Sequence, residues 1–226
     1  PLEGTTICAT GGSNSITVIA MASEGGFLNA PDVYMNKISI GPGLPENIID
    51  LDEKPKVNLT NLAKAKKMEI NDLVVCILNR TRHEELIRKC REVGARIMLI
   101  EDGDVSGVIA TSEPTSGVDI YMGTGGAPEG VVVAAALSCY GGQIQGRLIL
   151  DDEEKIRAKK LGITDFNKKY NIEDMVNGDV IFCATGVTSG DLAKGVKDLG
   201  NEFQVNTFVL HKSQNIIKSV TNIYNK

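Results

Sequence analysis

Apolar residues along this chain fall into short β-branched runs separated by longer stretches of helical spacing. Residues 15 to 22, Ser-Ile-Thr-Val-Ile-Ala-Met-Ala, form an apolar run between Gly11-Gly12 and Gly25-Gly26 and read as a buried strand. Residues 33 to 40 alternate weakly and read as a second strand, stopped by Gly41-Pro42-Gly43. A loop with two further prolines follows, then a predicted helix from about Asn58 to Lys67.

The stretch from 73 to 140 is the most regular. Leu73 to Leu78 predicts a strand, Thr81 with Glu84 a capping box, and Leu86, Ile87, Cys90 and Val93 one helical face that Gly94 ends. Arg96 to Ile100 predicts the next strand, with Asp104 as cap of a short helix reaching about Thr111. Val118 to Met122 predicts a third strand, and Gly125-Gly126-Ala127-Pro128 leads into an apolar helix ending at Cys139. Three strand-turn-helix units in succession predict a parallel α/β sheet with crossover helices. Beyond them the pattern gives a strand at 143–150, a charged helix from Asp151 to Lys160 and an apolar strand at 179–183. The turn Gly186-Val-Thr-Ser-Gly-Asp191 is read as entering a helix, and strands at 203–210 and 214–223 as a terminal hairpin.

Composition narrows the function classes. Apolar residues make up 42% and charged residues 23% of 226, an ordinary globular balance with room for a large core. With no Trp, few aromatics and a net charge of -5, no nucleic-acid footprint is expected. No apolar run is long enough to span a bilayer, so no membrane partner is expected and the cytoplasm is the default compartment. Cys8, Cys76, Cys90, Cys139 and Cys183 form no CxxC or Cys/His cluster and read as free thiols. An acidic protein of this kind binds phosphates through local donors or metals.

Candidate chemistry collects at the three turns, because ligands of open α/β sheets bind beyond the carboxyl ends of the strands. The first carries Arg80-Thr81-Arg82-His83, the second Asp102-Gly103-Asp104, the third Gly125-Gly126-Ala127-Pro128-Glu129. Arginines grip phosphate with forked hydrogen bonds, aspartates suit sugar hydroxyls or a cation, and backbone N–H groups at a helix start favour an anion. Each element also has a structural reading: Thr81 and Asp104 as caps, Glu129 as a dipole partner, the glycines as a tight turn. Together they suit a phosphorylated polyol. His83 and His211 are solitary and are given no role.

The first residues, Pro1-Leu2-Glu3-Gly4-Thr5-Thr6, resemble the tail of the Asp-Pro-(Ile/Leu)-(Asp/Glu)-Gly-Thr motif of metal-dependent, lithium-sensitive phosphomonoesterases. The runs Gly26 to Met35, Asp102 to Val105, Gly125 to Val131, Gly146-Arg147-Leu148 and Ala184 to Thr188, with Arg82-His83, are similar in order and content to class II fructose-1,6-bisphosphatases. That resemblance runs essentially from end to end. It implies an α/β sugar-phosphatase fold of alternating α and β layers, αβαβα in type, with a mixed sheet and a more regular parallel one. It further implies a remnant metal-binding subdomain at 1–56 and a substrate-binding subdomain at 57–226.

The resemblance implies Glu3 and Glu129 as ligands of Mn²⁺ or Mg²⁺, with the Leu2 carbonyl beside them. Glu3, Gly4, Thr5, Tyr34, Arg80, Thr81, Arg82, Asp102, Gly103, Asp104 and Gly126 would contact the sugar phosphate, and Thr5 would help activate the attacking water. Thr81 stands where the family usually has Pro. The Asp expected before Pro1 and the segment upstream of it lie outside the sequence, so an amino-terminally truncated chain, inactive in isolation, is expected. The implied reaction is hydrolysis of fructose 1,6-bisphosphate. The alternatives are an enzyme that also takes sedoheptulose 1,7-bisphosphate, and a non-catalytic sugar-phosphate binding module. A homo-oligomer, dimer or tetramer, is the expected assembly.

Overall fold

The computed structural model describes residues 2–226. Two sheets organise it. The first contains β1 (Leu2–Glu3), β2 (Ile16–Ala22), β8 (Val180–Gly186), β10 (Glu202–His211) and β11 (Ile216–Asn225) in that order, with β9 (Lys197–Asp198) beside β10. The second contains β5 (Arg96–Ile100), β4 (Val74–Leu78), β6 (Ile120–Gly126), β3 (Tyr34–Ile40) and β7 (Gln143–Ile149), again in order. The helices are α1 (Thr5–Thr10), α2 (Pro55–Lys66), α3 (Glu84–Glu92), α4 (Asp104–Ala110), α5 (Ala127–Tyr140), α6 (Asp152–Lys160) and α7 (Ile172–Met175). None is long and apolar enough to cross a membrane, among the described residues.

The three successive units are present as read: β4–α3, β5–α4 and β6–α5. β4 pairs in parallel with both β5 and β6, so the carboxyl ends of all three strands share one edge. The expected division into a mixed and a parallel sheet is corrected. β3 runs antiparallel to β6 and β7, which makes the second sheet the mixed one, while every pairing in the first sheet is antiparallel. The physical reason is connection length. The parallel pairs β4–β5 and β4–β6 are joined through helical crossovers in the 73–140 stretch, whereas β10 and β11 are joined by a short polar turn that permits antiparallel pairing alone.

Sheet membership does not change at residue 56. β3 lies in the second sheet, and the carboxyl-terminal strands return to pair with β2 in the first.

α5 explains how the sheets stack. Its sequence, APEGVVVAAALSCY, is apolar on every side, and a helix of that kind must be covered all round. It packs against β2, β8 and β10 of the first sheet and against β3, β6 and β7 of the second. One core, including Val18, Met35, Val133, Leu137 and Phe182, fills the space between the sheets. A second, including Ile38, Leu59, Leu62, Ile77 and Ile87, joins the other face of the mixed sheet to α2 and α3. The layers thus alternate β, α, β, α.

Three local readings are corrected. Thr81 makes no capping bond, and residues 81–83 form a 3₁₀ turn instead. No helix forms near Asp191: the Asn14 side chain accepts the Asp191 N–H at 2.8 Å and packs so closely on Gly190 that a Cβ there would collide with it. A helix was missed at Thr5–Thr10, where Gly4 takes φ +73 to turn the chain out of β1. A Cβ at Gly4 would press on Ile7 at 3.1 Å, so glycine suits the turn twice over.

Candidate active site

A cleft of about 560 Å³ opens at the shared edge of β4, β5 and β6. Arg80 and Arg82 follow β4, Asp102, Gly103 and Asp104 follow β5, and Gly125 and Gly126 end β6. Tyr34 joins them because β3 starts at the edge where its antiparallel neighbour β6 finishes, in register with Gly126. Leu2, Glu3, Gly4 and Thr5 reach the same cleft from the other sheet. The Glu3 backbone carbonyl accepts the Ser15 hydroxyl at 3.1 Å, which ties this short edge strand to β2. Glu129, in the first turn of α5, completes the wall.

All the residues anticipated for the site line the cleft except Thr81, which is exposed on the 3₁₀ turn outside it. Asp32, Val33, Leu78 and Glu154 line it unanticipated. Lys37, also missed, lies beneath it with its ammonium on Asp104 and donating to the Gly126 carbonyl at 2.9 Å. A lysine within the apolar run of β3, on the same face as Met35, was the available signal.

Two features read as a helix cap and a tight turn serve other purposes. Gly103, at φ +73, is the N-cap residue of α4, and the Asp104 side chain caps nothing, being paired with Lys37. Gly125 and Gly126 are not a turn, since β6 runs through Gly126 directly into α5. Their missing side chains make room. A Cβ on Gly125 would collide with the Asp104 carboxylate, and one on Gly126 with that of Glu129.

The cleft separates charge. Arg82 donates through Nε and Nη2 to the Thr124 carbonyl at 3.2 and 2.8 Å, and its guanidinium lies 5.1 Å over the Tyr34 ring. Arg80 Nη2 stands 3.6 Å from Asp102 Oδ1. His83 holds this turn in place: Nδ1–H donates to the Leu78 carbonyl and Nε2 accepts the Thr124 N–H, each at 2.8 Å. That pattern requires the neutral ring, and burial lowers its pKa accordingly. On the acidic side, the Glu3 carboxyl is pushed up to about 7, first by burial and then by repulsion from Asp104 and Glu129.

A second cavity, about 550 Å³, adjoins the first and shares Asp102 and Gly103. Among the described residues no Lys, Arg or His lines it.

A cleft with arginines on one side and crowded carboxylates on the other thus lies at the strand ends of an α/β sheet, where folds of this class bind their ligands. Comparison with known proteins gives the family. The bacterial, glpX-encoded fructose-1,6-bisphosphatase family matches residues 1–224, and this chain belongs to it. It is 38% identical over 240 residues to the D-fructose 1,6-bisphosphatase class 2/sedoheptulose 1,7-bisphosphatase of Synechococcus sp. (strain JA-3-3Ab), covering 100% of this chain and 69% of that protein. It is likewise 38% identical over 239 residues to the fructose-1,6-bisphosphatase 1 class 2 of Escherichia coli (strain K12), covering 99% of this chain and 70% of that protein.

Proposed function

We propose that this chain carries the substrate cleft of a phosphomonoesterase that hydrolyses fructose 1,6-bisphosphate to fructose 6-phosphate and inorganic phosphate. The observation that carries the reading is the convergence of Arg80, Arg82 and Tyr34 with Glu3, Thr5 and Glu129 in one cleft, in a chain of this family. Arg80 and Arg82 bind the phosphate distal to the reaction, where paired guanidinium N–H donors match its oxygens. Asp102 and Asp104 accept from sugar hydroxyls and set specificity. Thr5, exposed at the start of α1, orients the attacking water. Water oxygen bonds to phosphorus, the phosphorus–sugar oxygen bond breaks, and the sugar oxygen leaves as a hydroxyl.

Mn²⁺ or Mg²⁺ fits the donors present. Glu3 and Glu129, with the Leu2 carbonyl, are hard oxygen donors, and the Glu3 carboxyl is pushed up to about 7 first by burial and then by repulsion from Asp104 and Glu129. Among the described residues no three acidic, His or Cys side chains come close enough to enclose an ion. Mn²⁺ or Mg²⁺, when bound, supplies neutralising charge at the phosphoryl oxygens and a more acidic water.

Phosphate release from fructose 1,6-bisphosphate with added Mn²⁺, together with calorimetric binding of fructose 6-phosphate, tests the reading. In the full-length enzyme, Glu129→Ala should abolish Mn²⁺-supported release and leave fructose 6-phosphate binding within about threefold, since the hydroxyls and phosphate remain held elsewhere. A chain that neither releases phosphate nor binds fructose 6-phosphate would overturn it, and a Glu129→Ala variant of normal rate would overturn the metal assignment. Sedoheptulose 1,7-bisphosphate is a second substrate favoured by the names of the Synechococcus relatives. Steady-state comparison of the two bisphosphates decides between them.

A further inference from the structure

The side chain of Lys37 is fully buried, and nothing in the roles above uses it. It lies in the middle of β3, flanked across the sheet by Gly123 on β6 and Gly146 on β7. Its stem runs under α5, where a Cβ on Gly130 would come within 3.5 Å of Lys37 Cδ, and its ammonium emerges where a Cβ on Gly125 would come within 3.1 Å. The passage is therefore lined by absent side chains. At its end the ammonium meets the Asp104 carboxylate and the Gly126 carbonyl, beneath the cleft that those residues line.

Packing alone does not ask for a lysine here. Burying an ammonium costs several kcal/mol, and an apolar side chain of similar volume would fill the passage without that penalty. What an apolar residue could not do is hold two separate elements at once. Asp104 opens α4, and Gly126 is the last residue before α5, whose first turn carries Glu129. Lys37 also lies close enough to Glu3 to offset part of the repulsion that Asp104 and Glu129 exert on it.

We propose that Lys37 is a positioning residue. Its buried ammonium clamps the first turn of α4 to the entry of α5, and thereby sets Asp104 for the sugar hydroxyls and Glu129 for the cation. The second half of this statement rests on the phosphatase reading; the clamp itself does not.

Two measurements on Lys37→Met test it. Amide hydrogen exchange should accelerate roughly tenfold or more at residues 104–108 and 126–130, as follows from losing hydrogen bonds to a charged group, and stay unchanged in β4. Calorimetric binding of fructose 6-phosphate in Mn²⁺ should weaken by about 10- to 100-fold, the scale set by misplacing a site group by an ångström. If either the exchange or the binding matches the unaltered chain, the proposal is overturned. Failure of the unaltered chain both to bind fructose 6-phosphate and to release phosphate would instead sink the phosphatase reading, with the exchange experiment still judging the clamp. Should Lys37→Met not fold, Lys37→Gln, which keeps a donor but no charge, is read by the same two criteria.

Discussion

Glu3 concentrates the electrostatics of the site in one residue. Its carboxyl titrates near 7 because burial, Asp104 and Glu129 all oppose its charge. An ordinary glutamate in the unfolded chain titrates near 4.5. Between those values the folded state holds a proton that the unfolded state has lost, so stability falls as pH rises through the window and then levels off. Glu3→Gln removes the repulsion. In EDTA it should raise the thermal midpoint at pH 8, by roughly 1–3 kcal/mol of stability, and change little at pH 4.5. Equal effects at the two pH values would show that Glu3 does not carry this strain.

Among the elements, the turn between β4 and α3 carries Arg80 and Arg82, the proposed phosphate ligands, and His83 is its pin. The ring spans from the Leu78 carbonyl on its own strand to the Thr124 N–H on β6, so Arg82 is held against Thr124 and Tyr34. Burial depresses its pKa below 6.5. As pH falls below that value the unfolded chain gains a proton that the folded chain refuses, and stability declines with acid. His83→Ala should cost about 2 kcal/mol or more, because it strands a buried N–H and a carbonyl. It should also flatten the acid limb of a stability profile taken between pH 5 and 7. A variant with the original acid slope would place that slope in other groups.

At the scale of the molecule, α5 joins the sheets. Leu137 is fully buried in the core between them, and the helix touches strands of both. Leu137→Ala should cost roughly 2–5 kcal/mol and lower one cooperative transition, with far-UV dichroism and tyrosine near-UV signals still coinciding. Two separated transitions would mean that the sheets unfold independently. The same sandwich brings Glu3, from the antiparallel sheet, to the strand ends of the mixed sheet, so the candidate site exists only when the layers are assembled.

Much of this was legible in the sequence because it is written in short windows. The runs at 73–78, 96–100 and 118–122, each followed by helical spacing, announced three parallel units and so put Arg80, Asp102 and Gly126 on one edge. The all-apolar sequence from Ala127 announced a helix that must be covered on every side. The remainder depended on pairs far apart in the chain. Lys37 meets Asp104 across 67 positions, which turned an expected helix cap into an ion pair. Asn14 meets Asp191 across 177, which replaced an expected helix with an irregular loop. The glycines at 125 and 126 looked like a turn because sequence records the missing side chain but not the carboxylates that occupy its space. Periodicity fixes which residues form an element and which face they share, since backbone geometry repeats within a few residues. Which carboxylate meets which cation is decided only when burial makes an unpaired charge too costly to leave.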